Sequence, residues 1–231
     1  PYRQRGAYPI QTKRGCSRRC LYCSYPLLEG TVYRCRSPRS VVDEIEQAKE
    51  RLGAGTFEFV DSTFNDPPGH AEAICEELIR RKPGATLRTM GVNPAGVTRN
   101  LIDLMQQAGF AQIDCTPDSA SPTMIANLRK GFTRRTLEEA AEAIREADMP
   151  TMWFFLLGGP GESETTLSET FDFVDRHIKE NDMVHISEGL RIYPKTGLHD
   201  EAIRLGVLEP SESLLKPRFF VSPILGRARL E

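Results

Sequence analysis

No stretch of this 231-residue chain approaches the roughly 20 consecutive apolar residues that a membrane-crossing helix takes. The opening PYRQRGAYPIQTKRGC lacks the apolar segment of a secretory leader. The expectation is a cytoplasmic chain without a membrane span. It begins at Pro1 rather than Met, which leaves a longer native protein open. No internal repeat or low-complexity tract appears. The glycine-rich GGPGES lacks the Gly-Lys-Ser/Thr of a phosphate loop. His70, His177, His185 and His199 show no ligand pairing.

Acidic residues are scarce at one end. Residues 1–39 hold nine Lys and Arg (Arg3, Arg5, Lys13, Arg14, Arg18, Arg19, Arg34, Arg36, Arg39) against Glu29 alone, within a net charge of −2. Such a patch suits nucleic acid, an anionic cofactor or an acidic redox partner. It lacks the interleaved aromatics of a base-stacking surface, which argues against nucleic acid.

The six cysteines do not read as a disulfide framework, which belongs to small secreted chains poor in core. Cys16, Cys20 and Cys23 lie within eight residues, whereas Cys35, Cys75 and Cys115 are scattered and read as structural. Three clustered thiols point to metal.

Strand-like and helix-like stretches alternate. Strands are expected at Tyr8–Lys13, Thr56–Asp61, Leu87–Val92, Ala111–Thr116, Thr151–Leu157 and Met183–Tyr193. Helices are expected from Pro38 to Gly53, over HAEAICEELIRR, up to Gly109, over Pro122–Lys130 and Arg134–Ala147, near Glu164–Glu180, and over HDEAIRLG. Six βα units with short apolar strands imply a parallel sheet covered by helices, wound into an α/β partial (β/α)6 TIM-like barrel. That barrel would occupy residues 1–208, with the cysteine loop at 15–25. Residues 209–231 would form an arm packed on it or the stub of a further domain. Trp153 reads as core.

The segment TKRGCSRRCLYCSYP spaces its cysteines C-x3-C-x2-C after a predicted strand. Structural zinc takes four ligands, usually in paired C-x2-C units, and no second pair exists. An electron-transfer [4Fe–4S] centre also takes four thiolates, and Cys35 follows no ferredoxin spacing. Three thiolates leave one iron with an open position, where chemistry takes place on a metal site.

CSRRCLYC resembles the signature of the radical S-adenosylmethionine (SAM) superfamily. FVDSTFND, DSASPTMIANLRKGFT, FFLLGGPGES and LRIYPKTGLHDEAIRLGVL resemble further segments of its Elp3/MiaB-like branch. LLKPRFFVSPIL is similar to a tail common among cobalamin-associated members. The resemblance implies that Cys16, Cys20 and Cys23 hold a [4Fe–4S] cluster whose open iron chelates SAM. It further implies reductive cleavage of SAM to a 5′-deoxyadenosyl radical, which modifies an unactivated substrate, in some members by methyl or alkyl transfer. SAM would be held by Tyr22 beside the adenine, Asp61 and Ser62 near the amino group, and Asp118 and Ser119 near the ribose. Gly158 and Gly159 would let the backbone approach the nucleoside, and Ile192 and Tyr193 would border the adenine. Asp61-Ser62 replaces the usual small-small-Glu pattern, and Asp118 replaces a glutamate. As a bland alternative, Asp118 caps the following helix.

No D-x-H-x-x-G cobalamin motif is present, so cobalamin would have to come from a domain outside this chain. The implied partners are a small-molecule or peptide substrate and a flavodoxin- or ferredoxin-type electron donor. The rivals are a tRNA-modifying methylthiotransferase and a non-catalytic iron–sulfur electron-transfer protein.

Overall fold

The computed structural model describes residues 6–225. The elements run β1 (Tyr8–Ile10), β2 (Lys13–Arg14), α1 (Tyr25–Glu29), β3 (Arg34–Cys35), α2 (Pro38–Leu52), β4 (Thr56–Phe59), α3 (His70–Arg81), β5 (Thr86–Thr89) and α4 (Arg99–Ala108). There follow β6 (Ile113–Asp118), α5 (Pro122–Asn127), α6 (Arg134–Ala147), β7 (Thr151–Leu157), α7 (Glu164–His177), β8 (Met183–Glu188), β9 (Leu190–Arg191), α8 (Gly197–Arg204) and β10 (Phe219–Phe220).

Strands β1, β4 and β5 pair in parallel, as do β6, β7 and β8. Parallel bridges Leu87–Phe110 and Val92–Cys115 join the two groups. At the second bridge, Val92 N–H donates to Asp114 O at 2.7 Å and Thr116 N–H donates to Val92 O at 3.0 Å. Six parallel strands therefore follow one another in chain order, the barrel-type arrangement expected from the βα alternation.

Burial alternates along β4 and along β7. One side of the sheet packs on helices: Phe57, Phe59, Leu87, Trp153 and Phe155 are buried there with Ile45, Ile74, Met105 and Ile144. Each such side chain contributes about 1.5–3 kcal/mol. Phe59, Phe64 and Phe110 form an aromatic triangle, with ring centroids 5.0–5.5 Å apart, under the loop that follows β4. Trp153 is core as expected, its indole N–H donating to Asp182.

Sequence and structure differ in several places; β4 and β5, for example, end at Phe59 and Thr89 instead of Asp61 and Val92. The first strand stops at Ile10, and Lys13–Arg14 instead form an antiparallel hairpin with Arg34–Cys35. The sixth strand breaks at Gly189, whose φ of 74° suits only glycine comfortably. The helix expected over Pro122–Lys130 ends at Asn127, because Arg129 turns into left-handed backbone. The helix expected to reach Glu180 ends at His177, followed by extended backbone at Ile178. In the tail, β10 pairs antiparallel with β9 and buries Phe220. Ser222 N–H donates to Gly158 O at 2.8 Å, and its hydroxyl donates to Glu162 O at 2.8 Å.

Candidate active site

The cysteine loop leaves the sheet at the carboxyl end of β1, the end where parallel α/β folds bind their ligands. Its entry requires a glycine. Gly15 has φ of 91°, and a Cβ there would lie 2.1 Å from Val32 O. Cys16 N–H donates to Gly30 O at 3.0 Å, and Gly15 N–H donates to Glu29 Oε2 at 3.1 Å. Farther along, Leu21 is buried among Met124, Leu128 and Leu198. Leu21 N–H donates to Leu128 O at 3.0 Å, and its carbonyl accepts from Leu198 N–H at 2.8 Å. The loop is thus pinned between the end of α5 and the start of α8.

Cys16 is buried, Cys20 and Cys23 are partly buried, and all three thiols are free. Burial pushes the Cys20 and Cys23 thiols above their ordinary range. A metal bound by them would have to drive their deprotonation. Among the described residues, no three His, Cys, Asp or Glu side chains converge on a single point as they would around one metal ion. Three thiols on one short loop fit a larger iron–sulfur cluster ligated on three of its irons. Cys75 and Cys115 are buried in the core, as their structural reading expects, whereas Cys35 is exposed on β3.

Tyr22, Asp118 and Lys130 form one buried network. The Tyr22 hydroxyl donates to Asp118 Oδ2, and Lys130 Nζ lies 2.5 Å from the same oxygen. Burial opposes the Lys130 charge, yet Asp118 and Cys20 hold its ammonium above the ordinary lysine value. Burial, then Asp118, pushes the Tyr22 phenol well above its ordinary value. Asp118 has φ of 65°, which turns the chain sharply after β6. It is not the helix cap: Ser121 holds that position.

Asp61 is occupied by the scaffold. Its carboxylate accepts from Thr12 N–H at 2.8 Å, the Thr12 hydroxyl at 2.6 Å and Lys13 N–H at 3.2 Å, and pairs with Lys13 Nζ at 3.3 Å. His70 Nε2 lies 3.0 Å from the same hydroxyl. Ser62 beside it is partly buried. Ser119 is fully buried, 3.1 Å from the Thr170 hydroxyl. Gly158 and Gly159 N–H groups donate to Glu162 Oε2 at 2.7 and 3.3 Å. A Cβ at Gly159 would meet Met124 Cε at 2.8 Å. Ile192 is buried, and Tyr193 lies under the Arg191 guanidinium, 4.8 Å from ring centre to Cζ. These residues share the carboxyl ends of β1, β4, β6, β7 and β9. The sequence reading missed Lys130 as a site residue, although its Lys-Gly-x-Thr segment carried the signal, and it missed Glu162, buried behind GGPG.

A cavity of about 170 Å³ opens onto Cys20 and Cys23, with Arg18, Arg19, Arg129 and Lys195 in its wall and no carboxylate among the described residues lining it. Arg18 is held by Asp66, with Nε 2.5 Å from Oδ2, and donates to Lys130 O. Arg19, Arg129 and Lys195 are exposed. Arg3 and Arg5 of the basic segment lie outside the described residues.

Comparison with known proteins decides the family. A family model described as the radical SAM superfamily matches residues 10–174. The chain belongs to the radical SAM superfamily. It is 30% identical over 211 residues to the tryptophan 2-C-methyltransferase of Streptomyces laurentii, covering 85% of this chain and 35% of that protein. It is 27% identical over 187 residues to the ribosomal protein uS12 methylthiotransferase RimO of Sorangium cellulosum, covering 73% of this chain and 38% of that one. Among solved structures, the radical SAM methyltransferase TsrM of Kitasatospora setae, with tryptophan substrate and a SAM analog bound, superposes with a TM-score of 0.85 at 26% identity. The match covers 99% of this chain and 51% of that one. A second TsrM structure carries cobalamin and a [4Fe–4S] cluster. The chain thus spans about a third to a half of these relatives. The family's cofactors are a [4Fe–4S] cluster and SAM. Among the described residues no helix is long and apolar enough to cross a membrane.

Proposed function

We propose that this barrel holds a [4Fe–4S] cluster on Cys16, Cys20 and Cys23, binds SAM beside it, and serves methyl or alkyl transfer to an unactivated atom of a small-molecule substrate. Cobalamin, as in the TsrM relative, would come from a domain outside this chain. The observation that carries the reading is the network joining the cysteine loop to the turn after β6 through Tyr22, Asp118 and Lys130. It places a carboxylate and an ammonium beside the three-thiol loop. Once bound there, the cluster would supply the electron for reductive cleavage of SAM.

The protein's own part is placement and exclusion of water. Asp118 offers its carboxylate to the ribose hydroxyls, steadied by Lys130. Tyr22, Ile192 and Tyr193 bound the adenine, while Ser62 and the Gly158–Gly159 backbone bound the rest of the nucleoside and the amino group. Asp61 and Ser119 act at one remove: Asp61 fixes the entry to the cysteine loop, and Ser119 fixes the turn beside Asp118. Electrons enter through the cavity at Cys20 and Cys23, where exposed Arg19, Arg129 and Lys195 attract an acidic flavodoxin-type donor.

Product analysis tests the reading. Reduced protein given SAM, with and without methylcobalamin, is expected to release 5′-deoxyadenosine or S-adenosylhomocysteine. Arg19→Glu is expected to slow the reaction driven by flavodoxin, most at low salt, and not the reaction driven by dithionite. Release of neither product, or equal slowing with both reductants, contradicts the reading. A methylthio product would favour the rival suggested by the RimO similarity.

A further inference from the structure

A second cavity, of about 550 Å³, lies beside the open edge of β1, with Gln11, Lys13, Arg14, Arg34, Arg36 and Glu44 in its wall. The β2–β3 register sets Arg14 directly opposite Arg34. Side chains directly opposite in an antiparallel pair share one face, and like charges placed so are destabilising. Arg36, two residues on from Arg34, returns to that face by the strand period.

The cations are unequally answered. Lys13 is paired with Asp61, and Arg36 with Glu44 at 2.6 Å. Arg14 donates only to the neutral Gln11 amide, at 3.0 Å. Arg34 donates to the carbonyls of Val32 and Glu29, at 3.3 and 2.8 Å. The Glu29 carboxylate is engaged by Gln11 and Gly15 N–H, at 3.2 and 3.1 Å. Among the described residues, neither Arg14 nor Arg34 has a carboxylate partner in an ion pair. Both arginines therefore line the cavity from one face of the β2–β3 pair, and neither is charge-paired.

We infer that this cavity binds a phosphoryl group carried by a small ligand, with Arg14 and Arg34 as its two clamping residues. Two unanswered positive charges match a phosphate near its dianionic form better than a carboxylate. Guanidiniums give such oxyanions paired, charge-assisted hydrogen bonds. An anion between them would also turn the Arg14–Arg34 repulsion into attraction, so the ligand should stabilise the hairpin that leads into the cysteine loop. Among the described residues, no aromatic side chain lines the cavity, which favours a small ligand over a base-stacking nucleic-acid strand. This inference does not depend on the chemistry proposed for the cluster.

The test uses the cluster-loaded protein with inorganic phosphate and pyrophosphate as probes, followed by calorimetric titration and thermal melting. Both probes are expected to bind and raise Tm. Arg14→Gln and Arg34→Gln are each expected to weaken pyrophosphate binding at least about tenfold. Arg14→Gln is also expected to leave the ligand-free Tm unchanged or higher, since it removes a like-charge pair. Absence of binding to the wild type, binding undiminished in the double variant, or a lower ligand-free Tm for Arg14→Gln would each overturn the assignment. So would a single-stranded RNA that binds through the same two arginines more tightly than pyrophosphate, because the face would then be a nucleic-acid surface.

Discussion

The Lys130 ammonium, with only 5% of its side chain exposed, keeps its charge because Asp118 stands beside it. Removing one member of a buried pair leaves the other uncompensated, at a cost of about 3–5 kcal/mol, more than the pair contributes over an apolar replacement. Lys130→Met is expected to lose that amount in urea unfolding, and the Lys130→Met, Asp118→Leu double variant is expected to regain part of it. A loss below about 1 kcal/mol in the single variant, the range of exposed pairs, would show that the pair is hydrated in solution.

Glu162 illustrates the opposite case. Burial pushes its carboxyl above the ordinary value despite donations from Gly158, Gly159 and Thr166. A raised folded-state value means that its contribution to stability is full below the unfolded value and is lost as pH rises through the folded one. Glu162→Gln keeps an acceptor for the glycine N–H groups without the charge. Its melting temperature is expected to gain on the wild type as pH rises above the ordinary carboxyl range, about pH 4. Parallel melting profiles for the two proteins would contradict the assignment.

Among the elements, the tail strand is the one with the clearest mechanical part. β10 covers β9, and the residues after it bind the Gly158–Glu162 turn. Phe220 is fully buried, whereas its neighbour Phe219 is 52% exposed. Phe220→Ala is expected to cost about 3–5 kcal/mol by chemical denaturation, while Phe219→Ala costs under about 1 kcal/mol. Equal losses would mean that β10 does not hold this register.

This element was hidden in the sequence, since a two-residue strand in a proline-punctuated tail leaves no period to read. The β2–β3 hairpin was hidden for a related reason: Lys13–Arg14 and Arg34–Cys35 carry no apolar alternation. The helices with strong caps were legible. Ser37-Pro38 opens α2 and Gly53 closes it in left-handed backbone, as expected. At Arg129, a non-glycine residue in that backbone, the pattern overran, whereas α3 and α6 stop as expected although Lys82 and Asp148 close them in the same backbone. At the site, the cysteine spacing was readable because it is local. The roles of Asp61 and Ser119 were not, because what they touch, Thr12 and Thr170, lies 49 and 51 residues away.

For the whole molecule, the six parallel strands gather the cysteine loop, Tyr22 and the Asp118–Lys130 pair at one end of the barrel. The central claim is that three thiols of that loop hold a cluster with an iron open to SAM. The most direct measurement is the EPR spectrum of the reduced, anaerobically reconstituted protein with and without SAM, alongside its iron content. Near-stoichiometric [4Fe–4S] is expected in the wild type and in Cys35→Ala, and loss of the cluster in Cys16→Ala, Cys20→Ala or Cys23→Ala. Saturating SAM is expected to shift the reduced spectrum, because it binds at the open iron. A spectrum unchanged by SAM, or a cluster lost in Cys35→Ala, would contradict the account and favour a four-thiolate electron-transfer centre.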